Sequence, residues 1–291
     1  MNKLELVIDQ KAMLGEGPIW DCENKVLYWL DILACELHVF NPDKHSDRVI
    51  ETGQLIGTVV PRAKGGVVLA MEKGLYFLDT VTGETAFIAD PESDRTENRF
   101  NDGKCDPAGR LFVGTMHKEG KGSGGALYCL DTDLSLGKVL DSISISNGIA
   151  WSHDHKTMYY INTPVKKVWG FDYAIRTGEI SNKRVVIDGK AEEGFFDGMT
   201  IDEEGMLWIA HFGGFKVTRW EPQTGGKLDE VMLPVPNPTA CAFGGEGLED
   251  LYITTARLGL SDEELRQYPE SGGLYVIRPG VKGVKSYKFG G

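Results

Sequence analysis

The chain has 291 residues, 41% of them hydrophobic and 25% charged, a globular composition that excludes intrinsic disorder and fibrous repeats. Lys and Arg number 31 against 43 Asp and Glu, a net charge of −12; such a surface repels phosphate backbones and argues against nucleic-acid binding. A chain of this length buries roughly three quarters of its unfolded surface, enough for a core without disulfides.

From the N-terminus, MNKLELVIDQKAMLGEGP holds no apolar stretch of signal-peptide length. No later window reaches the roughly 18 apolar residues of a membrane span. No membrane association is expected, and a soluble, reducing, cytoplasmic setting is. Cys22, Cys35, Cys105, Cys129 and Cys241 form no CxxC pair, so reduced and mostly buried thiols are expected, not a zinc knuckle or redox site.

LELVI (4–8) reads as a lone strand. After it the chain repeats itself: GEGPIWDCENKVLYWLD (15–31), a weaker VVPRAKGGVVLAMEKGLYFLD (59–79), NDGKCDPAGRLFVGTM (101–116), SNGIAWSHDHKTMYYIN (146–162), DGMTIDEEGMLWIAHFGG (197–214) and TACAFGGEGLEDLYITTA (239–256). Most units place a polar residue before glycine, then an apolar run, a turn with Asp and an alternating aromatic strand. Further strands such as ELHVFNPD, GALYCLDTD and VTRWEPQTGG end on turn residues. Unit starts near 16, 60, 101, 147, 197 and 240 match the 40–50 residues of a four-stranded propeller blade. Only SDEELRQYPE (261–270) reads as a turn or two of helix. The expected fold is all-β: one six-bladed β-propeller over 1–291, four antiparallel strands per blade, with the N-terminal strand closing the last blade and hiding its open edge.

Equivalent positions on the innermost strands of a propeller converge at one end of its channel. The residue before glycine is Glu16, Asp102, Asn147 or Asp197 in four units. One such dipeptide alone reads as a turn; four at one phase of a repeat, each leading into an apolar strand, read as oxygen donors gathered for a hard or borderline cation. Without a cation, converging carboxylates would raise one another's pKa. Trp20, Trp29, Trp151 and Trp208 sit in or beside the repeat strands and are expected in the core. His153 and His155 fall in a turn and are expected to be exposed, whereas His117 and His211 are possible pocket residues. GGEG (244–247) lacks the strand and helix of a dinucleotide site.

LGEGPIW (14–20), NRFNDGKCDPAGRLFVGTM (98–116), SNGIAWS (146–152), DGMTIDEEGMLWIA (197–210) and CAFGG (241–245) together resemble the regucalcin, senescence-marker protein, gluconolactonase and luciferin-regenerating enzyme family. The likeness runs along essentially the whole chain, and 254–277 is similar to bacterial pentonolactonases. The resemblance implies one divalent cation, Ca, Zn, Mn, Mg or Fe, held by Glu16, Asn147 and Asp197. It implies that Asp197 is also the catalytic base, and that Arg99, Asn101 and Glu119 contact the substrate. Repeat phase favours Asp102 where the family motif favours its neighbour Asn101; neighbours on a regular strand face opposite ways, so only a bulge admits both. The implied reaction is hydrolysis of a sugar lactone, such as a glucono-, xylono- or arabinonolactone, to the aldonic acid. Two other readings stand beside it: a metal-dependent esterase or phosphotriesterase on the same scaffold, and a calcium-binding regulatory propeller without catalysis. The glycine-rich 118–125 stretch reads either as a mobile pocket loop or as a solvated hairpin, and oligomeric state is open.

Overall fold

The computed structural model describes residues 3–291. Six four-stranded antiparallel sheets follow one another round a ring. Five are formed by consecutive strands: β2–β5 (15–51), β6–β9 (56–89), β10–β13 (98–143), β14–β17 (146–188) and β18–β21 (195–232). The sixth orders β22–β24 (238–277) with β1 (Glu5–Ile8) as its outermost strand. The N-terminal strand thus closes the last blade, Glu5 pairing with Val276 and Leu6 with Tyr275.

The repeat explains its own geometry. Asp21, Asp106 and Asp202, the turn aspartates of three units, cap their own turns: Asp106 Oδ1 accepts from the Ala108 and Arg110 N–H groups, both at 2.9 Å, and Asp202 Oδ1 from Glu204 and Met206, both at 3.0 Å. These are Asx turns, in which the side chain replaces a missing backbone acceptor. The aromatic strands that follow pack between blades. Phe112, Trp151 and Tyr173 meet edge to face between the third and fourth blades, and Trp208 meets Phe243 between the fifth and sixth. All four core tryptophans expected from sequence are buried. The outer strands β5, β9 and β17 are largely exposed.

Residues 281–291 lie outside the repeat and were not anticipated as structure. They cross the propeller by bridges from Gly283 to Asp202 and from Phe289 to Arg62, with the Phe289 ring fully buried. Arg62 Nε reaches the Gly291 carbonyl at 2.8 Å and Lys288 pairs with Glu23 at 2.8 Å, so this strap ties together blades distant in sequence. The one α-helix among the described residues, α1 (Asp262–Gln267), starts on a capping box between Ser261 and Glu264. Of the five cysteines, all free, Cys105 and Cys241 are buried and the other three only partly so, fewer than expected.

Candidate active site

The innermost strand of every blade breaks register at the same phase: between Glu16 and Ile19 in β2, Ile56 and Thr58 in β6, Phe100 and Gly103 in β10, Asn147 and Ile149 in β14, Phe196 and Met199 in β18, and Pro238 and Ala240 in β22. Bulges re-aim side chains that a regular pleat would send sideways. Gly17 takes a left-handed φ of +54°, whereas Gly57, Gly103, Gly148 and Gly198 serve close approach. A Cβ on Gly148 would sit 2.6 Å from Met199 Cβ and 2.9 Å from the Asp197 carbonyl, and one on Gly198 would overlap Ala240. Polar–Gly is therefore a signature of inner strands crowding round a channel.

The six positions divide by chemistry. In blades two and six the break instead carries threonines that tie neighbouring inner strands, Thr58 following Gly57 and Thr239 preceding Ala240: Thr58 Oγ1 donates to the Asn101 carbonyl, and Thr239 Oγ1 to that of Gly15. In the other four they are the acids and amides. Glu16, Asn147 and Asp197 line one cavity of about 570 Å³ together with Arg99 and Asn101. All five are buried. The bulge in β10 resolves the competition between Asn101 and Asp102, because both face the channel at different depths. Asn101 lines the open cavity; Asp102 lines a water-sized space behind it, with Lys104. Lys104 Nζ donates to the Met199 carbonyl at 2.7 Å.

The electrostatics follow from three buried carboxylates close enough to feel one another's charge. Burial, then the charge of Asp102, pushes the Glu16 carboxyl from 4.5 up to about 8. Asp197 is driven well above the usual range by burial, then by Glu16 and Asp102, with Asn147 and Arg99 opposing. Asp102 is raised mainly by burial. Burial lowers Arg99 to about 10, the charges of Glu16 and Asp197 opposing it; it remains a cation at neutral pH.

Asn147 carries the observation that bears most directly on a metal. Its Nδ2 donates to Thr163 Oγ1 at 2.8 Å, which orients the amide, while its buried Oδ1 has no hydrogen-bond partner. An orphaned buried acceptor is costly. Asn147 lines the same cavity as two carboxylates held high in pKa chiefly by burial. Two carboxylates and an amide oxygen are a donor set that suits a hard or borderline divalent cation, so the residues present fit the expected group. Among the described residues no three His, Cys, Asp or Glu side chains group as a metal site.

Arg99 Nη1 donates to Asn101 Oδ1 at 2.7 Å and to the Phe100 carbonyl at 2.8 Å, and Asn101 Nδ2 donates to the Ser146 carbonyl at 2.7 Å. The two residues form one braced unit at the cavity floor. Glu119 lies at the mouth, its side chain 64% exposed and paired with Lys121 at 2.5 Å. Both histidines considered for the pocket are used elsewhere. His117 Nδ1 accepts from the Glu119 N–H. His211 is fully buried between the Glu193 carbonyl and Thr218 Oγ1, and burial lowers its pKa to about 4. His153 and His155 contact the Asp202 carbonyl and the Tyr287 hydroxyl, away from the cavity. The apolar residues of the cavity wall, Phe195 foremost, were missed from sequence; their signal was a phenylalanine two residues before Asp197 on the same strand.

A model of the SMP-30/gluconolactonase/LRE-like region matches residues 14–257. The chain is 38% identical over 286 residues to a Bacillus subtilis protein named for sugar lactone lactonase activity, YvrE, covering 98% of each, and 40% identical over 292 residues to zebrafish (Danio rerio) regucalcin, covering 99% of each. The crystal structure of a calcium-binding protein, regucalcin, from Agrobacterium tumefaciens superposes with a TM-score of 0.95 at 29% identity, over 99% of this chain and 97% of that one. No helix among the described residues is long and apolar enough to cross a membrane. With a propeller of the same build and motifs matched along its length, the chain belongs to the SMP-30/gluconolactonase/LRE-like family.

Proposed function

We propose that this protein hydrolyses a sugar lactone to the free aldonic acid, using a divalent cation held by Glu16, Asn147 and Asp197. The observation that carries the reading is the partnerless Asn147 Oδ1 beside two buried carboxylates, at the floor of a cavity that also presents a fixed arginine. A cation so held supplies Lewis-acid polarisation of an ester carbonyl and lowers the pKa of a water.

The chain's own residues do the rest. Asp197 takes a proton from the attacking water as it adds to the lactone carbonyl carbon. The ring C–O bond then breaks, and the proton passes from Asp197 to the departing ring oxygen, leaving a hydroxy acid. A positioned base of this kind contributes about 10²–10⁴-fold. Arg99 and Asn101, already braced against each other, orient the lactone by hydrogen bonds, and the guanidinium offsets the carboxylate that forms. Glu119 takes a substrate hydroxyl at the mouth in exchange for Lys121, an exchange between exposed charges that costs little.

The lactonase named among the relatives supports this reading, and the regucalcin described as calcium-binding supports a cation. A calcium-binding propeller without catalysis would share the three oxygen donors but would have no use for Arg99 and Asn101. The test is aldonolactone hydrolysis followed by pH-stat, with and without chelator, for wild type and Arg99→Ala. Turnover that stops on chelation and falls in the variant, with cation binding retained by calorimetry, is expected. Turnover untouched by exhaustive chelation would sink the cation's role, and no turnover of any aldonolactone would sink the substrate class.

A further inference from the structure

The cavity gathers most of its polar side chains at its floor. Glu16, Arg99, Asn101, Asn147 and Asp197 lie together there, while Met116, Ile145, Phe195, Phe212 and Leu258 line the rest. Phe195 precedes Asp197 by two residues on β18 (Phe195–Ile201), and both line the cavity. Phe195 pairs across the sheet with Phe212 of β19 (Leu207–Phe212). On the other side Met116, opposite Arg99, bridges to Ile145. The Phe195 side chain is left 49% exposed.

The few polar groups on these walls are engaged. Thr163 Oγ1 receives the Asn147 amide and Lys118 Nζ is held by Glu72 and the Thr96 carbonyl, so below Glu119 at the lip the polar side chains of the wall are committed. A polyhydroxylated chain laid along such walls would bury hydroxyls without partners, which is unfavourable. A cavity of about 570 Å³ falls among those that take drug-sized ligands, more than one lactone ring fills.

We infer that the walls form an apolar subsite for an aliphatic substituent on the lactone ring, so that the enzyme takes alkyl-substituted lactones as well as aldonolactones. The inference rests on the lactonase reading and names a further substrate class for the same site. The ring lies on the floor, and the substituent covers Phe195 and Phe212. The chemistry is unchanged: water adds, the ring C–O bond breaks, and a hydroxy acid leaves with its alkyl chain.

The test is a series of γ-lactones bearing methyl, propyl and pentyl groups, with an aldonolactone beside them, on the cation-loaded full chain. The matching γ-lactams, which resist hydrolysis, are titrated by calorimetry. Burial of each added methylene should raise kcat/KM, and tighten lactam binding, by about fourfold. Phe195→Ser should flatten both slopes, and Phe195→Leu should restore them. Slopes flat in the wild type while aldonolactone turns over would overturn the subsite and leave the lactonase reading intact. Equal losses on aldonolactone and alkyl lactones in Phe195→Ser would overturn it too, giving the ring a stacking role on the sugar. Lactam affinities that climb with chain length while no lactone of either kind is hydrolysed would support the subsite and sink the lactonase reading.

Discussion

In the presence of chelator the acid cluster should make this fold weaker as pH rises, the reverse of what salt-bridged carboxylates do. Glu16 is 8% exposed, and its carboxyl is raised from 4.5 to about 8, first by burial and then by the charge of Asp102. Between those values the native chain holds a proton that the unfolded chain releases, so unfolding free energy falls with pH across the window. At about 1.36 kcal/mol per unit, the shift amounts to about 5 kcal/mol, fully present below pH 4.5 and gone above pH 8. Asp197 and Asp102, raised in the same direction, steepen the decline. Urea unfolding in chelator at intervals from pH 5 to 8, for wild type and Glu16→Gln, reads the Glu16 share together with its push on Asp197, because Gln keeps the shape and does not titrate. The wild type should lose about 4 kcal/mol relative to the variant over that range. Excess divalent cation should abolish the decline, since ligation takes the deprotonated carboxylate. A wild-type-minus-variant difference that stays level with pH would refute the reasoning.

Asp197→Asn should lower kcat by about 10²–10⁴-fold with the propeller still folded; wild-type turnover by pH-stat would remove the base assignment. Lys104→Met leaves the Met199 carbonyl without its donor and Asp102 without its neighbouring cation. It should cost about 1–3 kcal/mol in urea unfolding, and an unchanged midpoint would show that the deep charge pair does not support the fold. In Gly57→Ala the new Cβ would overlap the Phe100 carbonyl and lie 2.8 Å from the Asn101 nitrogen. A loss of about 1–3 kcal/mol is expected, together with weaker lactone use because Asn101 moves. Neutral stability would mean that the two inner strands separate freely.

Blade number, strand order and the ring-closing role of 4–8 were legible in the sequence because each repeat is a local statement: an Asp that caps its own turn and an aromatic strand that must be covered by the next blade. Glu16, Asp102, Asn147 and Asp197 could be singled out for the same reason, since a repeat converts equal phase into equal place; the choice of Glu16, Asn147 and Asp197 among them came from the family resemblance. Phase could not say which side of a strand faces the channel, and the choice between Asn101 and Asp102 shows why. The β10 bulge, set by the crowding of inner strands at Gly57 and Gly103, turns both inward at different depths. That the Asn147 oxygen is left partnerless, that His211 is locked behind the blade by Thr218 and Glu193, and that Phe195 stands over Asp197 were decided only by tertiary packing. Each depends on atoms brought together from residues far apart in the chain or across a sheet, and no local pattern encodes such distances.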